Sequence, residues 1–555
     1  MKTCALACLL AIGGPLLSTL PAGVFINSGV MRSPENQVFQ FVQRSTFVYT
    51  ADDEVTTAAY LWIPENCRRL RGLLILGENI PEHGLVGHPA IRAACSASDL
   101  GIVWCTPRFI SFKERDEAPK TVAFLQQLLD GLAASSGYTE VAIVPWLPMG
   151  ESMHYRMLYQ LLNHSPQRCI AGIFIKNALT LSRYQNRETP VLVAVGTAQE
   201  WYQDKTDIRT HWTDLSFYET MLKERAVFPD WPMSILIEAG SGHFDCTEAM
   251  TAHFAAYISA VVRARIPTDP SKGLLPVAQS DGFVTGLPLP GRNTFEPTAY
   301  AKAEPAYRSM PWFFSETLAL DAFHTAAVNW QAASQLPAFV DAQGKAVPMA
   351  FRGITRPVPF ETGADGITFE IAGCLLPAIP PGFVGAMAPL AIAPGTPTVE
   401  WICGSIVPLG QGRFRIALDR TWPKGPICVA LRHKGTGKIR DVVQPGYLQL
   451  EPNRSGFAQS ITFAPIPDQP FGTDSVTLAA TSDSGLPVRY FIVAGPAVVE
   501  GNILKLTPIP PRTRYPVEIT VTAWQWGRSI EPQVRTAATV TRSFHVTESK
   551  VSPLR

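Results

Sequence analysis

Charge is scarce in this chain. Only 17% of its 555 residues are Asp, Glu, Lys or Arg, and 47 basic against 46 acidic side chains leave a net charge of +1. There is no basic footprint for a nucleic acid and no acidic tail, so neither function organises the sequence. Cysteines number ten, none in a C-x-x-C spacing, which removes the common zinc patterns. No H-E-x-x-H or related metal motif occurs. Internal repeats are lacking too, which argues against a solenoid or propeller. Long apolar runs are few. Residues 374–396 are uncharged, but repeated proline and glycine break any membrane-spanning helix there.

The other such run is N-terminal, MKTCALACLLAIGGPLLSTLPAG. One lysine, an apolar stretch and small residues near Pro21 to Gly23 form a secretory signal pattern, so residues 1–22 are expected to be a cleaved leader and the mature chain to be secreted, periplasmic or surface-bound. Cys4 and Cys8 would leave with it. Of the other eight cysteines, some could pair in an oxidising compartment, and buried free thiols are an equal reading. Proline, by contrast, is abundant: its 48 residues exceed the usual share of about 5% and concentrate in the second half.

An α/β class is expected for residues 30–267, where short apolar runs alternate with amphipathic segments. Val38 to Tyr49 and Thr56 to Ile63 read as a hairpin. LLIL at Leu73, IVWC at Ile102, VAIV at Val141, Ile170 to Ile175, Val191 to Val195 and Ser234 to Glu238 read as buried strands. Helices are expected over Pro89 to Ser98, Lys120 to Ala134, up to about Asn163, and Thr247 to Arg265. Strands alternating with helices imply a mostly parallel sheet covered on both faces. Residues 268–334, rich in Pro and Gly, read as a linker or a segment wrapping the first domain, with a helical hint near Thr317 to Gln331. Residues 335–455 look β-rich, with strands such as TVEWICGSIV and GPICVALRH. Residues 459–548 show short alternating strands and Gly/Pro turns, the pattern of an antiparallel β-sandwich with enough residues to fold alone.

The chemistry gathers around PWLPMGESMH, Pro145 to His154. Gly150, Glu151 and Ser152 fit the G-x-S-x-G nucleophile elbow, with His154 where the last glycine belongs. A serine hydroxyl is a poor nucleophile near neutral pH and needs a base. His243, in IEAGSGHFDC just past the last expected strand, is placed to be that base. Glu200, with Asp204 as the alternative, follows the penultimate strand and could orient the imidazole. Asp207 and Asp214 are weaker candidates. Trp201, Tyr202, Trp212 and Phe244 occupy loops on the same face and could wall a substrate site, or serve as loop cores. Glu78, His83 and His88 cluster after LLIL, but without metal-ligand spacing they read as solvated loop residues. Ser152 could also simply cap the helix that follows it.

The order serine, acid, histidine, with G-E-S at a strand-to-helix turn and G-H-F after the last strand, resembles the α/β-hydrolase superfamily over about 230 residues. That resemblance implies oxyanion donors at the backbone N–H of Met153 and of Glu78 or Asn79. It also implies an acyl-enzyme mechanism without cofactor or metal. The tail, with its IPDQ-FGT opening and SGLPV-Y turn, resembles the bacterial immunoglobulin-like domains at the C-termini of exported proteins. Together these imply an exported serine hydrolase, foremost a carboxylic-ester hydrolase acting on a small-molecule or glycan ester. The β modules would then serve for surface or polysaccharide attachment. An inactive α/β-hydrolase-like binding protein and a serine peptidase of the same fold are the competing readings. His154 adds bulk where helix and sheet meet, and its ring is expected to turn outward, toward solvent or toward Tyr155 and Glu151.

Overall fold

The computed structural model describes residues 37–50, 53–107, 118–177, 184–196, 216–238, 241–244, 246–348, 354–378 and 391–548. The first domain is built on an eight-stranded sheet. In chain order its strands are β1 (Phe41–Thr50), β2 (Asp53–Trp62), β3 (Gly72–Leu76), β4 (Leu100–Thr106), β5 (Trp146–Glu151), β6 (Gly172–Ile175), β7 (Val191–Gly196) and β8 (Met233–Glu238). Their spatial order is β1-β2-β4-β3-β5-β6-β7-β8. The β1–β2 hairpin is antiparallel, β2 joins β4 antiparallel, and every later neighbour is parallel. Every residue of β3 to β8 is buried. Unbroken apolar strands of this kind are stable only between two covering layers.

The helices are α1 (Ile80–Leu85), α2 (Pro89–Ala97), α3 (Ala118–Ser136), α4 (Tyr155–His164), α5 (Ser216–Val227) and α6 (Glu248–Arg265). α2 packs on α6, and α3 on α4. Caps fix two of the starts: His88 Nδ1 accepts the Ala90 N–H at 3.1 Å, and Thr247 Oγ1 accepts that of Met250 at 3.2 Å.

One expected strand is corrected. VAIV is not the strand before the serine; residues Thr139–Ala142 form a turn of 3₁₀ helix, and Ile143 is 76% exposed. The Glu140 carboxylate accepts the Leu70 N–H at 3.1 Å, and its carbonyl takes Ile143 N and Val144 N, which winds the run into a turn. A four-residue apolar run does not by itself distinguish strand from turn. The strand is WLPMGE, and its proline argues against it on propensity. Pro148 stands opposite Ile75 on one side and, on the other, between the Trp146–Cys169 bridge and the β6 ladder that begins at Met149.

Residues 283–326 lie against β8. They form a three-stranded sheet and a helix, Glu316–Ala326, whose Ser315 caps it. Ser234 Oγ donates to the Trp312 carbonyl at 2.6 Å, and the Arg225 guanidinium donates to that of Arg308 at 2.8 Å.

The described residues from Pro337 to Tyr447 form antiparallel β-structure around a core that includes Phe339, Phe369, Trp401, Phe414, Val429 and Leu431 and takes in Trp524 and Trp526 of the tail. Its strand Cys428–His433 pairs with Thr398–Cys403 on one side and Val442–Tyr447 on the other. Side chains alternate across a strand. Val429 and Leu431 therefore enter that core, whereas Cys428 and Ala430 face the first domain and meet Ile80 and Phe244. The tail, Ile461 to Thr547, shares a continuous apolar cluster with the first domain. Gly495 N donates to the Phe39 carbonyl, and Arg512 Nη1 lies 2.9 Å from Glu140 Oε1.

Candidate active site

Ser152 stands where β5 ends and a short 3₁₀ turn, Ser152–His154, leads into α4. Its φ is +48°, in the left-handed region that L-residues avoid. Holding a non-glycine residue there costs about 1–3 kcal/mol and persists only when the surroundings enforce it. They do so here by close packing. A Cβ on Gly150 would lie 2.7 Å from His154 Cβ and 2.9 Å from Leu158 Cδ1. The tight turn lifts the serine out of the sheet, and Ser152 Oγ lies 2.8 Å from His243 Nε2. The pair is 7% and 5% exposed, so little water competes for that hydrogen bond.

His243 comes from the loop after β8, and this loop is tied down from below. Lys176, at the end of β6, is 1% exposed; its Nζ donates to Ser241 Oγ and lies 4.0 Å from Glu238 Oε2. Thr247 Oγ1 donates to the other Glu238 oxygen. Only Gly242 separates Ser241 from the histidine, so the buried lysine anchors the imidazole's approach to the serine. The Phe244 ring meets the His243 ring edge-on at 4.5 Å.

A carboxylate network surrounds the elbow. Glu151 is fully buried, and its Oε1 lies 3.3 Å from His243 Nε2, farther than the serine oxygen. Asn79 Nδ2 donates to the Glu151 carboxylate and, at 3.3 Å, to its carbonyl. Glu82 Oε1 accepts the Glu151 backbone N–H at 2.7 Å and lies 2.9 Å from His154 Nδ1. Asn177 Nδ2 holds the Ser152 carbonyl at 2.9 Å.

The structure thus brings Ser152 and His243 together and places Met153 first after the serine. Asn79 is bound to the elbow, and Glu78 lies next to it with Oε1 3.4 Å from His83 Nε2. Glu200, Asp204, Trp201 and Tyr202 lie outside the described residues, as do Asp207, Trp212 and Asp214. Phe244 is buried against Tyr447, ring centroids 6.1 Å apart.

Two expectations are corrected. His154 does not turn outward: it is fully buried, bound to Glu82 and lodged against Gly77. Glu78, His83 and His88 are not solvated either; each is under 9% exposed. His88 turns to Glu248 at 3.0 Å, away from the Glu78–His83 contact. Among the described residues, no three His, Cys, Asp or Glu side chains are placed to share a metal ion. No described helix is long and apolar enough to cross a membrane. The eight cysteines among the described residues, Cys67 to Cys428, are free thiols.

Sequence reasoning missed Glu82, Asn79 as a side-chain donor, and Lys176. Their partners lie 65 to 72 residues away in the chain, so no local pattern marks them.

No protein-family model and no curated protein matches the sequence. Among solved structures, the chain is similar to a thermostable esterase at 12% identity, with 36% of this chain covered, 54% of the length of that one, and a TM-score of 0.24. It is also similar to an esterase from Pyrobaculum calidifontis at 13% identity, covering 42% of this chain and 89% of the other with a TM-score of 0.27. An S-formylglutathione hydrolase from Agrobacterium tumefaciens is 13% identical, with 40% and 94% covered and a TM-score of 0.28. At these identities and scores the likeness carries no functional weight. The α/β class of the first domain follows from its own sheet order and burial.

Proposed function

We propose that this chain is an exported serine hydrolase of the α/β-hydrolase type, and that it cleaves carboxylic esters. The observation that carries the reading is the hydrogen bond between His243 Nε2 and a serine held at φ +48° on a strand-to-helix turn. Ser152 Oγ attacks the ester carbonyl while His243 takes its proton, then returns it to the departing alcohol. Water, activated by the same imidazole, releases the acid from the acyl-enzyme. The backbone N–H of Met153 and that of Glu78 or Asn79 hold the oxyanion. Glu200, or Asp204 in its place, orients the histidine. The nearby Glu151 carboxylate adds negative charge where the imidazolium forms. Export rests on the N-terminal signal pattern. The tail is read as an immunoglobulin-like module for attachment to a surface or polysaccharide.

The reading of an inactive binding protein has against it a strained serine kept within hydrogen-bond reach of a base. A fluorophosphonate probe tests the proposal on the full chain. Ser152 should be labelled stoichiometrically, and Ser152→Ala should take up no label. An unlabelled wild type would refute the proposal.

A further inference from the structure

Beside the elbow, the first domain and the β-rich segment enclose a groove of about 820 Å³. That is the size of a site for a ligand of one or two rings. Asn79 and Glu78 line its floor, so it opens onto the loop that carries the proposed oxyanion donors. Tyr447 lines it as well and reaches back to the site: its ring meets that of Phe244, which meets His243. Burial, above all, pushes the Tyr447 phenol well above its ordinary range, with Cys428, Cys403 and Glu151 adding to the shift and Arg356 opposing it. Its hydroxyl is therefore a hydrogen-bond donor throughout the working pH range. Trp422 supplies a second aromatic wall.

The charges decide what such a groove takes. Two cations line it, Arg356 and Lys424, and both are exposed. Arg356 sits over the Tyr447 ring at 5.5 Å. Among the described residues, neither cation is in an ion pair. Two carboxylates line the groove as well: Glu78, whose Oε1 lies 3.4 Å from His83 Nε2, and Glu451, which accepts from Gln449 within the groove. A guanidinium fork and an ammonium that are in no ion pair among the described residues suit a carboxylate, and the aromatic faces suit a flat ring or a sugar.

We propose that this groove is the leaving-group site, and that it selects esters whose alcohol part is a ring bearing a carboxylate, bound by Arg356 and Lys424. The inference rests on the serine-hydrolase reading. The β-rich segment is then part of the active site rather than an appendage.

Two aryl acetates test it on the full chain: 3-acetoxybenzoate and its neutral counterpart 3-acetoxybenzamide, each rate normalised to hydroxide-catalysed hydrolysis. kcat/KM should favour the anion about tenfold at low ionic strength, as expected when one charge-assisted contact is gained, and the ratio should shrink in 0.5 M salt, on the order of which charges are screened within about 3–5 Å. In the Arg356→Gln/Lys424→Gln double variant the ratio should fall to about one. Equal rates in the wild type, a preference for the amide, or a ratio unmoved by the double variant would overturn the proposal and leave the hydrolase reading standing. Cleavage of neither ester, with Ser152 still labelled by the phosphonate, would also overturn it alone. Cleavage of neither ester without labelling would remove both.

Discussion

His154 offers the sharpest test of how the elbow is built. Had its ring faced outward, His154→Gly would cost no more than the helix propensity of glycine, about 1 kcal/mol. The structure sets a different magnitude. The ring is fully buried, so its removal opens a cavity. It also withdraws a donor from the buried Glu82 carboxylate, which keeps only the Glu151 N–H. Losing a large buried side chain costs about 3–5 kcal/mol, and leaving a charged buried acceptor short of a partner accounts for about 1–3 kcal/mol of such losses. We therefore expect His154→Gly to destabilise the first domain by about 3–5 kcal/mol, a large part of a typical domain's stability. Gly77 provides the control. A Cβ there would lie 2.7 Å from His154 Cε1, with no room for it while the ring is present. Gly77→Ala alone should cost about 1–3 kcal/mol by overpacking. In the His154→Gly background its methyl enters vacated space and should cost nothing. Urea unfolding of the four proteins, followed by tryptophan fluorescence, reads the coupling as a shift in midpoint. A loss below about 1 kcal/mol for His154→Gly, or simple additivity in the double variant, would refute this account.

Three further outcomes are expected. Ser152→Ala and His243→Ala should each remove nearly all ester hydrolysis, and the double variant should be no worse than either single, because groups acting as a unit are not additive; additive losses would separate their roles. Lys176→Met frees the loop before His243, so kcat should fall about ten- to a hundredfold with KM nearly unchanged; a rise in KM at constant kcat would mean that the lysine does not serve the histidine. Burial pushes the Cys95 and Cys169 thiols up to about 12, so at pH 9 both should resist iodoacetamide until the chain is unfolded. Their folded values lie above the unfolded one of about 8.5, so the stability tied to them is complete below that pH and is lost as pH rises toward 12; an unfolding midpoint that rises from pH 9 to 11 would contradict this sign.

What the sequence disclosed depended on whether the determining contacts were local. The parallel sheet was legible because a strand buried on both faces must be apolar at every position, and LLIL, IVWC and VLVAVG are. β5 was misplaced by a few residues because the true strand carries Pro148, while the decoy VAIV is bent by Glu140, whose partner Leu70 is far back in the chain. The alternation in CVALRH was visible as a strand. Nothing local, however, says that Cys428 and Ala430 face Ile80 and Phe244 of another domain while Val429 and Leu431 face inward. Residues 197–215, which include Glu200 and Asp204, show no period of apolar and polar residues from which a geometry could be read.

The elbow shows the same division at the scale of single atoms. Where helix and sheet come close, a small residue is required, and the motif ordinarily places glycine two residues after the serine. Here that position carries an imidazole, which from the local sequence looks like a defect. The steric requirement is met from across the sheet. β3 ends just before Gly77, which presents no side chain to the ring, and α1 begins with Glu82 on its inner side to bind Nδ1. Glu82 also takes the Glu151 N–H, so the residue that accommodates the histidine fixes the backbone immediately before the serine. The glycine has in effect moved from one side of the contact to the other, 77 residues back from His154 in the chain. A turn held in this way needs its far side intact, so the strained φ of Ser152 depends on Gly77 and Glu82 as much as on the five positions of the motif, Gly150 to His154.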